Sequence, residues 1–290
     1  MKIGFIGLGI MGESMCTNII KKHDDDVYVY DLVEAQVKKL VAEGGIACKD
    51  ELEVAEKADV IISMVPTAKH SAALYDKILS KLGTGKYCID MGTIEPSASV
   101  AIAEKVKSSG AQFVDAPVLK SKAAAISGEL GIVVGGEKEV YDTLHFIFEY
   151  MGSDIFHMGK NGNGLVVKIC ANTMLAEVQN AVNETLCLAE KYGISLDDYA
   201  AAMALSTGSN AYLPAKKEAL RNSDYSVAFS ALNMAKDVNI CDTMSKEVGL
   251  QMPGLQVSLD IYKWLLDNDY GQTDYASAIE VVRQREPRKA

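Results

Sequence analysis

Lys2-Ile-Gly-Phe-Ile-Gly-Leu-Gly-Ile-Met-Gly12 decides the fold. A short apolar strand over residues 2–6 runs directly into Gly7, Gly9 and Gly12, and a helix over about 10–22 follows. The next strand, 27–30, ends in Asp31, 24 residues after Gly7. Glycines in a Gly-x-Gly-x-x-Gly pattern between strand and helix, with an acid closing the following strand, form the dinucleotide-binding fingerprint. Gly7 permits the tight turn, Gly9 lets a pyrophosphate approach the backbone, and Gly12 lets helix pack on strand. Ile10 and Met11 begin the helix, whose N-terminus offers free N–H groups and a partial positive charge to the phosphates. A carboxylate at Asp31 accepts hydrogen bonds from ribose hydroxyls and repels a 2′-phosphate. Leu32-Val33-Glu34 supplies no arginine to receive such a phosphate. The expected cofactor is therefore NAD rather than NADP, with Lys38 and Lys39 read as lysines of a solvated helix face.

The alternation continues outward from this stretch. Helices are expected over 33–43, 50–57, 69–81 and 97–109, with strands over 59–64, 86–90, 112–116, 131–134 and 154–157. Strands alternating with helices give an α/β, Rossmann-type doubly wound and mostly parallel sheet. Ligands in such sheets sit beyond the C-terminal strand ends. The loops at 7–12, 65–67, 92–96 and 117–121 all fall on that edge.

After Gly162 the pattern is helical only, interrupted at Gly193, Gly208, Pro214, Gly249, Pro253-Gly254 and Gly271. Two domains follow: an NAD-binding domain over 1–163 and an all-helical substrate and oligomerisation domain over 164–290, joined through a long helix reaching about Tyr192. Beyond Arg283 the tail has no pattern. Along the long helix Gly164, Lys168 and Asn172 recur at i, i+4 and i+8, so they share one face, each about 6 Å above the last. Leu165, Val166, Val167, Ile169, Ala171, Met174 and Leu175 surround them with apolar groups, as in a helix buried between other elements. A lysine there either snorkels to the surface or serves chemistry. An apolar cleft disfavours its charged form and brings its pKa towards working pH, which suits general acid–base catalysis. The helix begins where the two domains join, and such clefts are favoured ligand sites.

Composition bounds the partners. The chain has 290 residues, with ordinary charged and apolar fractions and a net charge of −10. That charge argues against nucleic acid or an anionic membrane surface. No apolar run approaches the ~20 residues of a membrane span. Six scattered cysteines, without Cys-x-x-Cys, read as reduced thiols of a cytoplasmic protein. The four histidines are isolated, so no metal is expected.

With these residues in place, the sequence resembles the β-hydroxyacid dehydrogenase family of 3-hydroxyisobutyrate dehydrogenases and tartronate semialdehyde reductases. The resemblance spans nearly the whole chain. It rests on Phe5-Ile-Gly-Leu-Gly-Ile-Met-Gly12, Asp115-Ala-Pro-Val118 with Ser127-Gly128, the Gly164/Lys168/Asn172 element and Lys236-Asp237. It implies a homodimer or homotetramer acting on a small anionic aldehyde or hydroxyacid. It implies that Lys168 donates a proton to the carbonyl oxygen as hydride arrives, while Asn172 holds the substrate and orients Lys168. Residues 7–12, Asp31, Val65, Pro66, Thr93 and Lys236 match cofactor-contacting positions, with Thr93 also close to substrate.

One departure stands out. Most of the family follows Asp-Ala-Pro-Val with Ser-Gly-Gly, whose hydroxyl and open backbone grip a carboxylate. Here Leu119-Lys120-Ser121 replaces it. A looser resemblance runs to the sulfolactaldehyde reductase branch, through Met91-Gly-Thr-Ile-Glu-Pro96 and Ala125-Ile-Ser-Gly128. Lys120 then either holds a sulfonate, phosphonate or second carboxylate, or points to solvent. Two other readings stand beside these. Tyr212-Leu-Pro-Ala-Lys216 fits the Tyr-x-x-x-Lys pattern of short-chain dehydrogenases, but it lies in the wrong half of the chain and reads as chance. A non-catalytic dinucleotide-binding sensor would have no need of a general acid.

Overall fold

The computed structural model describes residues 1–284, in two compact units, Met1–Lys168 and the chain from Ile169 onward. Apart from Gln284, the tail expected to lack pattern lies outside the described residues. The first unit begins β1 (Ile3–Ile6), α1 (Ile10–Lys22), β2 (Val27–Tyr30), α2 (Glu34–Ala42), β3 (Ile46–Ala47), α3 (Glu51–Lys57), β4 (Val60–Ser63) and α4 (Ala68–Ile78). It continues with β5 (Tyr87–Asp90), α5 (Pro96–Ser108) and β6 (Gln112–Asp115). These strands form one parallel sheet in the order β3-β2-β1-β4-β5-β6. The order reverses between β1 and β4, the point where such sheets bind ligands.

Alternation along each strand explains the helices on both faces. Ile3, Phe5, Val60, Ile62, Ile89 and Val114 pack into one core with Met15 and Ile19 of α1. Ile61, Cys88 and Phe113 point the other way, to Val54 of α3, Tyr75 of α4 and Ile102 of α5.

The strands after β6 depart from the expectation of a single sheet. They are β7 (Val118–Leu119), β8 (Leu130–Val134) and β9 (Gly152–His157), with α6 (Lys122–Ser127) and α7 (Lys138–Met151) between them, and they build a separate three-stranded sheet. β7 runs antiparallel to β8, and β8 parallel to β9. Ten residues between Leu119 and Leu130 are too few for the crossover that a parallel pair needs. The two sheets meet in one bridge, where Asp115 N–H donates to Gly135 O (3.0 Å) and Gly135 N–H to Asp115 O (2.8 Å).

α8 (Asn163–Lys191) contains the division between the two compact units, which falls after Lys168. The second unit continues with α9 (Leu196–Ala204), α10 (Tyr212–Asn222), α11 (Ala231–Glu247), α12 (Pro253–Asp267) and α13 (Ile279–Gln284), with no strand among the described residues. Pro214 does not interrupt a helix. It sits in the first turn of α10, where its missing N–H costs nothing.

Ile169, Val182 and Leu186 of α8 pack with Met234, Val238, Leu255 and Leu265. Among them runs a series of buried amides. Gln179 donates to Tyr275 O (2.6 Å) and accepts from the Tyr262 hydroxyl (2.5 Å). Asn180 donates to Ser258 Oγ (2.9 Å), and Asn183 accepts from the Tyr212 hydroxyl (3.2 Å). Lys216 is paired with buried Asp274 at 2.8 Å. Tyr212 and Lys216 thus serve the interior of this unit. The expectation of apolar burial all round α8 is corrected: Val166, Cys170 and Met174 are exposed, Met174 by 65%.

Candidate active site

The glycine fingerprint folds as its chemistry requires. Gly7 adopts φ +96°, and a Cβ there would strike the carbonyl of Met64. A Cβ on Gly12 would strike the carbonyl of Gly7, while the space around Gly9 is open. No side chain caps the N-terminus of α1, so its first N–H groups are available to an anion. Asp31 lies just past β2 and accepts from Leu8 N–H (2.6 Å) and Val33 N–H (2.8 Å). Its carboxylate is thereby fixed beside the glycine loop. Lys38 pairs with Glu34 (2.8 Å) and Lys39 with Glu13 (3.0 Å), which takes up the two cations nearest to Asp31 in sequence. Gly9, the open helix start and Asp31 fit a dinucleotide.

The loops after β4 and β5 close against one another. A Cβ on Gly92 would lie 2.8 Å from the Val65 carbonyl, so the segment carrying Val65 and Pro66 and the turn carrying Thr93 are in contact. Gly92 N–H donates to Asp90 Oδ1 (3.0 Å), and the Ser71 hydroxyl donates to Asp90 Oδ2. Burial pushes the Asp90 carboxyl up to about 6.

A second buried acid stands on the neighbouring strand, in register with Asp90. Asp115 Oδ1 accepts from Gly162 N–H (2.6 Å) and Oδ2 from Leu165 N–H (3.1 Å). Burial pushes its carboxyl up to about 6 as well, opposed by those backbone hydrogen bonds. Lys168 follows three residues after Leu165 on α8, half-buried. In the second unit Asn172 is 8% exposed and donates to Asp237 Oδ2 (2.6 Å), while Asp237 Oδ1 faces Lys236 Nζ at 3.3 Å. Asn172 and Lys236 therefore meet through Asp237.

Leu119 lies in β7, and Ser121 precedes α6. Lys120 between them adopts φ +75°, in the left-handed region that favours glycine. Its Nζ pairs with Asp154 (2.7 Å) and donates to Glu129 O (2.7 Å). The ion pair lies at the surface, with the Lys120 side chain 43% exposed. α6 is tied to α1 by Asn18, whose amide donates to Ala125 O (2.7 Å).

A family model for the NAD binding domain of 6-phosphogluconate dehydrogenase matches residues 2–159. Another, for the NAD-binding region of NADP-dependent 3-hydroxyisobutyrate dehydrogenase, matches residues 162–282. The NAD-dependent L-serine dehydrogenase of Pseudomonas aeruginosa is 33% identical over 95% of both chains. The chain belongs to the β-hydroxyacid dehydrogenase family. As a member of this family it is an NAD-dependent oxidoreductase acting on CH–OH groups. Another β-hydroxyacid dehydrogenase relative, the glyoxylate/succinic semialdehyde reductase 1 of Arabidopsis thaliana, is 31% identical over 98% of this chain and 99% of its own. Mycobacterium tuberculosis 3-hydroxyisobutyrate dehydrogenase, solved with L-serine, superposes with a TM-score of 0.89 at 27% identity, over 97% of this chain and 99% of that one.

Asp115 and Asp237 lie inside the sequence motifs without an expected role of their own, and Asp90 and Asn18 lie outside the motifs that carry expected roles. The signal for Asp90 and Asp115 is their place: each is an acid ending a buried apolar strand, where an unpartnered carboxylate would be costly.

Proposed function

We propose that this dehydrogenase interconverts a small β-hydroxyacid and its semialdehyde, with Lys168 as the general acid–base. The observation that carries the reading is that Lys168 shares one face of α8 with Gly164 and Asn172, on a helix whose start is bound by Asp115. Bound NADH supplies the hydride for the carbonyl carbon. In reduction Lys168 Nζ gives a proton to the carbonyl oxygen, leaving an alcohol, and in oxidation it takes the proton back. Residues 7–12 and Asp31 hold the dinucleotide, with Val65, Pro66, Thr93 and Lys236 lining its path. Thr93, Leu119, Ser121 and Asn172 surround the substrate.

The Lys120–Asp154 ion pair counts against a sulfonated aldehyde, because the cation that would select that anion is already matched. A sensor without turnover would leave Lys168 without a purpose. Exposed apolar residues on α8 support a homodimer or homotetramer, and six free thiols suit the cytoplasm.

The test is the initial rate of NADH consumption with succinic, methylmalonic and tartronic semialdehydes and sulfolactaldehyde, for the native chain and Lys168→Met. A carboxylated semialdehyde should be preferred. Lys168→Met should lose roughly 10²–10⁴-fold in kcat while its NADH Kd stays within about twofold. A variant that keeps its kcat, or a native chain that turns over none of the four, overturns the reading.

A further inference from the structure

Asp115 stands at a junction. Its backbone makes the one bridge between the two sheets of the first unit, and its side chain reaches a third element, the start of α8. Helix starts are ordinarily capped by a residue at the N-cap position. Here the acceptor lies 47 residues before Gly162 and 50 before Leu165, at the end of a sheet strand. The two carboxylate oxygens take one N–H each, so the first turn is fixed in rotation as well as in place.

The surroundings are cut to this carboxylate. A Cβ on Gly135 would lie 2.6 and 2.7 Å from its oxygens, and a Cβ on Gly164 would lie 2.9 Å from Oδ2. Both neighbours are glycines, which lets the backbone close around the acid. The positive end of the helix favours the anion there, yet burial still opposes it. A neutral acceptor would cap the helix without that opposition.

Lys168 lies one helical turn past Leu165, a rise of about 4.5 Å along a continuous helix. We propose that Asp115 is a positioning residue of the reaction, its carboxylate fixing the first turn of α8 and with it the place of Lys168 Nζ. This rests on Lys168 being the proton-transferring group.

The test compares Asp115→Asn with the native chain and with Lys168→Met, in the full-length protein. Asparagine matches the shape but turns an N–H₂ towards one of the two N–H donors. Expected are a kcat lowered roughly 10- to 100-fold, a loss in the range misplacement of a reacting group produces, a KM within about threefold, an unchanged NADH Kd, and faster hydrogen exchange at the Leu165 amide. An unchanged kcat with faster exchange overturns the inference. So does a fall in kcat that only tracks the fraction folded. Retained activity in Lys168→Met would instead sink the acid–base reading and leave the two failures distinguishable. Should Asp115→Asn not fold, Asp115→Ser removes the carboxylate without adding bulk beside Gly135 and Gly164, and the same loss of kcat at constant NADH Kd is expected.

Discussion

Two loops of the first unit have the same construction and opposite contents. Residues 7–9 and 120–121 each join a strand to a helix, β1 to α1 and β7 to α6, and Asn18 on α1 ties the two helices together. In the first loop the backbone is bare: Gly9 has open space around it and no side chain caps α1. In the second, Lys120 holds the left-handed conformation a glycine would take, at φ +75°, and its ammonium is bound by Asp154 and Glu129. The difference separates a backbone left bare from one covered by a side chain that is already bound. A pyrophosphate is the same for every NAD enzyme, so its loop stays open. In the second loop, which the proposed function sets beside the substrate, a lysine holds the backbone path instead of a glycine.

The comparison breaks most sharply at Gly12. Gly12→Val would drive a branched side chain into the Gly7 carbonyl, and NADH affinity by calorimetry should fall more than about 100-fold, equivalent to ~3 kcal/mol. Unimpaired binding would mean that the bare loop is not the pyrophosphate site.

Asn18→Ala tests the tie between the loops. It leaves the buried Ala125 carbonyl without its donor, at a cost of about 1–3 kcal/mol in urea denaturation. Aldehyde KM should rise severalfold while NADH Kd changes little. Equal losses in both would show that the two loops move as one body.

The smallest effect is expected for Lys120→Gly. Removing an L residue from φ +75° relieves strain of order 1 kcal/mol, and losing an exposed ion pair costs about 0–1 kcal/mol. Stability and KM for a carboxylated semialdehyde should both stay near native values. A large rise in KM would return Lys120 to the substrate.

What the sequence revealed follows the distance over which each feature is encoded. The glycine loop, Asp31 and the parallel strands lie in contiguous residues, so they could be read directly. α8 was legible for the same reason, with Gly164, Lys168 and Asn172 on one face. The three-stranded sheet was not, because β7 is two residues long and shows no period. Partnerships were hidden where they join distant positions: Asp115 with Gly162, Lys120 with Asp154, and Asn172 with Asp237, 65 residues apart. The exposed side of α8 escaped because an apolar residue reads the same whether it meets a core or solvent.

The buried amides of α8 carry a further consequence. A helix lined only with leucine and valine could slip past its neighbours by one turn, about 5.4 Å, and recover most of its apolar contact. Gln179, Asn180 and Asn183 remove that freedom, because each is matched to a different partner at a different height: Tyr275 and Tyr262, Ser258, and Tyr212. Slippage would strand all three at once. They act as the notches of a key, giving a helix that bears Lys168 near one end a single permitted depth in its lock.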